Sequence, residues 1–468
     1  MQKTRDYLVR LPCGWRLLLR AALLLLATAW PGLRAADSFN PFSYGAQGNG
    51  VAVDTAAVQK AIDAAAAAGG GAQVDIPQGF NFLIGTLVLR GGIDFHVEGQ
   101  LILSTNRADY SGDGVLTASN AVNLLITGTG SIVGQAMAFM SSYDRAGESW
   151  SPAPWRPTMF LLTGCTNMTI RDLTFGDSPS LGLHLLGCHN VLVDHITIRN
   201  RLDVPDADGI VADDCSLVEI RNCDVVTADA AIAVKSSRQT SDHGPGGDVY
   251  VHDCSLQTQS AGLELGPETV SDLNNMIFER CRVLSAGRGI SVQLRDEGSI
   301  SNVVFRDIQF LARFYADSWR GRGEGISLTA LPRTPQTKLG MMQDILLTNI
   351  TGRAENSLRI NGSPDSHIRD VRLETISLTL DRWTKYAGGR FDNRPIQGQE
   401  PLETHPTAGL NLRYVDGAVL KNCTLRWGKN LPDYFTSALE TDHVTGLELW
   451  DFRGLSAHPG KYADMLLR

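Results

Sequence analysis

The acids of "DADGI", Asp206 and Asp208, are followed 21 residues after the second by Asp229 in "TADAAIAVKS". Carboxyl groups held a few ångström apart divide acid and base work between them. Like charges so placed raise at least one pKa and leave a protonated acid beside an ionised base. Read as one strand, Asp206 and Asp208 face the same way, roughly 6.5–7 Å apart. If the 21-residue interval is about one turn of a coiled parallel sheet, Asp229 stacks on Asp208 at the ~4.8 Å strand spacing. Three acids then converge on one exposed face, the arrangement that glycoside hydrolysis needs. Ala207, Gly209, Ala228 and Ala230 flank them, leaving open space that a mere Asp-Gly turn does not require. Asp213 and Asp214 read as ordinary solvated corner residues.

Such convergence demands a repeating scaffold. Beyond residue 70 almost nothing reads as helix; short period-2 segments recur instead, among them "MTIRDLTF", "VLVDHITI", "VYVHDCSL", "VVFRDIQF" and "AVLKNCTL". Anchored on Leu173, Ile196, Cys223, Cys254, Cys281, Ile308, Ile350, Ile376 and Cys423, they step by 23, 27, 31, 27, 27, 42, 26 and 47 residues. A leucine-rich repeat would need a helix or a fixed leucine frame, and a propeller a longer period with closing hairpins. The spacing predicts a right-handed parallel β-helix, all-β, over 37–468. A short N-terminal helix, capped by Asp54 or Thr55 and stopped at Gly69–Gly71, covers the open end of the core. Long loops near 138–157, 312–340 and 383–408 are rich in Trp, Tyr, Arg and Gly, suited either to stacking on sugars or to packing on themselves.

With 43 % hydrophobic and 20 % charged residues among 468, the composition is that of a globular chain with a long core. A net charge of −8 without a basic stripe excludes nucleic acid as a partner. Residues 1–36 read as a signal peptide: Lys3, Arg5, Arg10, Arg16 and Arg20 precede the apolar run 21–30, which is too short to span a bilayer comfortably. A secreted or periplasmic monomer without stable membrane insertion is expected, with an uncleaved anchor as the alternative. Seven cysteines outside that segment, none in CxxC spacing, suit small buried strand residues rather than disulfides or zinc. No cofactor and no metal are expected.

The chain resembles glycoside hydrolase family 28, the polygalacturonase family of parallel β-helices, over its mature length. "YGAQGNGVAVDTAAVQKAIDAAAAAGGGAQVDIPQG" is similar to the family's opening, Asp206–Ile210 to its "NTDGI", and "ADAAIAVKS" to its "GDDAIAIKS". The resemblance implies single-displacement, inverting hydrolysis, with Asp229 as general acid and Asp208 as a base activating water. Three departures stand out. Ala230 takes the place of the second acid of "GDD", while Asp206, in place of Asn, offers an acid on the neighbouring coil. Ser260 stands at the family's histidine, and Ser291–Gln293 at its "RIK" cations, which bind a uronate carboxylate; their loss argues against galacturonate beside the cleaved bond.

Other polar residues remain open to a substrate role: Glu264, Arg288, Gln293, Arg295 and Lys235. Each has an ordinary alternative. Glu264 and Glu268 fit a salt-bridged coil edge, Arg288 and Arg295 a solvated surface, Lys235 the coil itself, and His243 a loop insertion. The leading reading is a secreted glycosidase acting on a plant or microbial polysaccharide or oligosaccharide. The alternatives are a degenerate carbohydrate-binding β-helix, motivated by Ala230 and Ser260, and a lyase or epimerase on the same scaffold, against which the missing cations speak.

Overall fold

A period-2 strand that must turn repeatedly needs corners that leave no buried backbone group unpaired. The computed structural model, which describes residues 37–238, 244–398 and 400–468, places a left-handed residue at each such corner. Asp172, His195, Asn222, Asp253, Arg280, Asp307, Asn349, Thr375 and Asn422 have φ between 51° and 66°. Each directly precedes one of the anchors from Leu173 to Cys423. Asn and Asp predominate because they tolerate this backbone region best.

Between corners, short strands pair in parallel with their counterparts one coil away. The pairs Thr174 with Thr197, Thr197 with Asp224, Asp224 with Ser255, Ser255 with Arg282, and Arg282 with Gln309 reproduce the steps 23, 27, 31, 27 and 27. Ile308 with Ile350, Ile350 with Ile376, and Ser377 with Thr424 reproduce 42, 26 and 47. The product is a right-handed parallel β-helix whose ladder joins 35 strands. Columns of buried aliphatic side chains fill it, and cysteines stack where room is short, as in Cys165, Cys188 and Cys215 or Cys223, Cys254 and Cys281. All seven described cysteines are free and buried.

The helix Thr55–Ala68 turns Ala57, Val58, Ala61, Ile62 and Ala65 onto the end of this core. Asp54 occupies its N-cap position, but its carboxylate accepts from Gln47 N (2.7 Å) and Gly48 N (3.0 Å) and makes no cap. Its side chain ties down the preceding loop instead. Two loops carry hairpins, Met140–Asp144 with Ser149–Pro152 and Arg390–Asp392 with Leu402–Thr404. The expected loop over 312–340 is not continuous: Glu324–Ala330 is a fully buried coil strand, leaving separate loops before and after it. Among the described residues no helix is long and apolar enough to cross a membrane. The signal segment 1–36 and His243 lie outside the described residues.

Candidate active site

Six successive strands of one face carry the site: β1 (Leu183–Leu186), β2 (Ile210–Asp213), β3 (Ile232–Ser236), β4 (Ala261–Thr269), β5 (Arg288–Leu294) and β6 (Glu324–Ala330). Leu183, Ile210, Ile232, Leu263, Ile290 and Ile326 align as an inward column. By alternation the next residues, His184, Val211, Ala233, Glu264, Ser291 and Ser327, face away from the core. The acids come from this outward row and from the corner entering it.

That corner corrects the strand reading of "DADGI". Residues 202–206 form turns, Asp206 has φ 54°, and β2 starts only at Ile210, so strand alternation does not align Asp206 with Asp208. Asp206 is 60 % exposed in its side chain and ion-paired with Arg156 Nη2. Arg156 also donates to Pro179 O (3.0 Å) and Pro205 O (2.5 Å), pinning the turn. The stacking partner differs too. Gly209 N donates to Ala230 O (2.9 Å), so the ladder sets Ala230 beside Asp208, with Asp229 N donating one step earlier to Ala207 O (3.2 Å).

The small neighbours serve close packing rather than open space. Ala207 and Ala228 are fully buried beneath Ala316 and Trp319 of the loop after Ala312. A Cβ on Gly209 would meet Ala231 O at 2.4 Å, which forces glycine there. Asp213 is likewise no solvated corner: it is fully buried, accepts from Ser237 N (2.9 Å) and Oγ (2.5 Å), and lies 3.3 Å from His184 Nε2.

Asp208 and Asp229 are half-buried and Glu264 is 7 % exposed. Burial pushes Asp208 well above the usual carboxylate range; the Asp229 charge adds to this, Lys235 opposes it, and Glu264 and Asp206 add smaller amounts. Burial and then Asp229 push Glu264 up to about 7, against Arg288 and Arg320. The three acids therefore sense one another across three coils. Lys235 faces them from β3, its Nζ 3.1 Å from Glu268 Oε2. Burial works against its charge, but Glu268, Asp208 and Asp213 outweigh burial and raise its pKa.

The other expected binding residues divide. Gln293 Nε2 donates to Glu264 Oε1 (3.0 Å), and Ser291 Oγ lies 3.3 Å from the same oxygen. Arg288 and Arg295, candidate substrate ligands with a solvated surface as the alternative, are 2 % and 0 % exposed. Arg288 donates to Asp392 O (2.7 Å), and Arg295 to Gln293 Oε1 (2.9 Å), Thr329 Oγ1 (2.9 Å) and Asn393 O (3.4 Å). Their donors bind the 383–408 loop to the coil, which sequence spacing cannot anticipate.

One cation escaped the sequence reading. Arg320, in the loop before β6, has its charged form favoured by Asp229, Glu264, Asp208 and Asp206 despite the opposing burial. Among the described residues no hydrogen bond or close ion pair engages its guanidinium. The Arg and Gly of "SWRGRGEG" were its only signal. Nearby, a recess of about 530 Å³ opens between Asp144, Gly147, Asp317, Ser318, Tyr386 and Arg390, where three loops meet. Their aromatic rings largely pack on protein: Trp319 is 4 % exposed, Trp150 Nε1 donates to Asp203 Oδ2 (3.1 Å), and Tyr386 Oη to Glu148 Oε2 (2.7 Å). Among the described residues no group of three His, Cys, Asp or Glu side chains is placed to hold a metal ion.

Against known proteins, the model of glycosyl hydrolases family 28 matches residues 67–387. A probable polygalacturonase of Arabidopsis thaliana is 24 % identical over 277 residues, 57 % of this chain and 56 % of the relative. An exopolygalacturonase of Zea mays is 23 % identical over 361 residues, 69 % of this chain and 86 % of the relative. The solved exopolygalacturonase of Thermotoga maritima superposes with TM-score 0.63 at 18 % identity, over 78 % of this chain and 92 % of that one. The chain spans 56–59 % of the length of the first curated relatives it matches.

Proposed function

Because the chain belongs to glycosyl hydrolases family 28, we propose that it hydrolyses glycosidic bonds in a pectin-type acidic polysaccharide or its oligosaccharides. The observation that carries this reading is the meeting of Asp208, Asp229 and Glu264 from three successive coils, with Arg320 facing all three. A glycosidase needs one carboxyl that keeps its proton and one that gives it up, and here burial and mutual repulsion hold Asp208 and Glu264 toward their protonated forms until the pH is high enough to ionise them.

In the mechanism, Asp229 protonates the leaving glycosidic oxygen while water attacks the anomeric carbon from the opposite face, activated on the Asp208 side once that raised carboxyl has lost its proton. Asp229 Oδ1 accepts from Ala230 N (3.0 Å), which fixes one oxygen of the donor. Asp206, held outward by Arg156, takes no direct part. Arg320 supplies a cation for a uronate carboxylate from an address other than Ser291–Gln293, and a guanidinium fork suits that group. The test is release of reducing ends from defined oligogalacturonides by the wild type, Asp229→Asn and Asp208→Asn. Loss of about 10²-fold or more in kcat for both variants is expected for acid and base groups. Full activity in both would sink the assignment.

A further inference from the structure

Ala230 leaves the acid pair of its coil incomplete, yet one coil on the structure holds a carboxyl whose surroundings are hard to explain as scaffolding. Glu264 is 7 % exposed, and among the described residues no cation lies within ion-pair distance of it. A buried carboxyl without a close cation is costly, so a merely structural one would be paired or replaced. Its hydrogen bonds fall on one oxygen: Gln293 Nε2 at 3.0 Å and Ser291 Oγ at 3.3 Å both meet Oε1, while Oε2 takes none among the described residues. Gln293 is itself fixed, its Oε1 accepting from Arg295 Nη2 at 2.9 Å, and Arg295 is anchored by Thr329. A chain of buried donors thus aims a single free oxygen, as a group that must receive a proton in one direction requires.

We infer that Glu264 is a catalytic residue, taking with Asp208 the water-activating role that the acid missing at Ala230 would have filled. This rests on the hydrolase reading above. In the step, a lone pair of the water oxygen forms the new bond to the anomeric carbon. The glycosidic C–O bond breaks with its electrons going to the leaving oxygen, which takes the Asp229 proton, and the water proton passes to Glu264 Oε2. The groups facing Glu264 are Asp229 and Asp208 from the preceding coils, Ser291, Gln293 and Arg288 from β5, and Arg320 from the loop. Burial and Asp229 place its titration at about 7, so the base becomes available toward neutral pH.

The experiment measures kcat and KM against pH on a defined oligogalacturonide for the wild type, Glu264→Gln, Glu264→Asp and Asp229→Asn. Glutamine keeps the acceptor for Gln293 and Ser291, so the fold is retained. Expected are a fall of about 10²-fold in kcat for Glu264→Gln with KM little changed, and loss of the rising acid limb seen in the wild type. Glu264→Asp should recover part of the rate and keep the limb. If Asp229→Asn is inactive while Glu264→Gln retains its rate and limb, the Glu264 assignment is overturned and the hydrolase reading stands. If Asp229→Asn is also fully active, the failure belongs to that reading.

Discussion

Glu264 and Asp208 are held against their own ionisation, and for Glu264 that has a measurable consequence for stability. Its folded pKa near 7 lies above the ordinary 4.5. Between those values the native state keeps a proton that the unfolded chain has released, so stability falls as pH rises from about 4.5 to 7, and the deficit is complete above 7. At about 1.4 kcal/mol per pKa unit the deficit is of order 3 kcal/mol. Glu264→Gln should therefore stabilise the protein by that order at pH 8 and hardly at pH 4, as urea denaturation would show; equal effects at both pH values would contradict it. Arg320 makes the complementary prediction for binding. Among the described residues no hydrogen bond or close ion pair engages its guanidinium, so Arg320→Met should raise KM for acidic oligosaccharides about tenfold or more, the worth of one charge-assisted hydrogen bond. Methyl-esterified substrates should show little change, and an equal effect on both would remove Arg320 from the binding role.

At the scale of elements, the site depends on a loop that the coil holds by buried charge. Asp392 is fully buried, accepts Arg394 Nε (2.9 Å) and Nη2 (2.8 Å) and Gly321 N (2.7 Å), and has Arg288 3.9 Å away. Burial opposes its charge, but the Arg394 hydrogen bonds and the Arg288 charge hold it below the usual range. Asp392→Ala removes the acceptor of Arg394 and Gly321 N while Arg288 keeps Glu324 at 3.7 Å, and should cost about 1–3 kcal/mol and open 383–408 to limited proteolysis. An unaltered digestion pattern would show that the loop is held otherwise. The strands were legible in the sequence because each coil repeats one apolar alternation and one Asn- or Asp-rich corner, and the anchor steps reappear unchanged as strand registers. Asp206 was misplaced since the alternation rule was applied across a turn. The burial of Arg288 and Arg295 was not legible because the loop that covers them lies about a hundred residues away in sequence, with no period linking it to the coil. Arg320 was missed for the same reason: irregular loops carry no register from which a side chain's direction can be read.

For the whole molecule, an unbroken ladder makes each coil depend on its neighbours, and the first coil depends on the helix that covers it. Ile62 is fully buried there, so Ile62→Asp should uncover the strand stack and yield aggregation, while a change at exposed Val51 should not. Size-exclusion chromatography and light scattering would report the difference. The same stacking gives the molecule its chemistry, since acids 21 and 35 residues apart become neighbours only when the coils superimpose. The most direct test of that claim is proton NMR of the first product formed from a defined oligogalacturonide. The account predicts a new reducing end of inverted anomeric configuration, absent with Asp229→Asn. A retained anomer, or an unsaturated product absorbing in the ultraviolet, would contradict it.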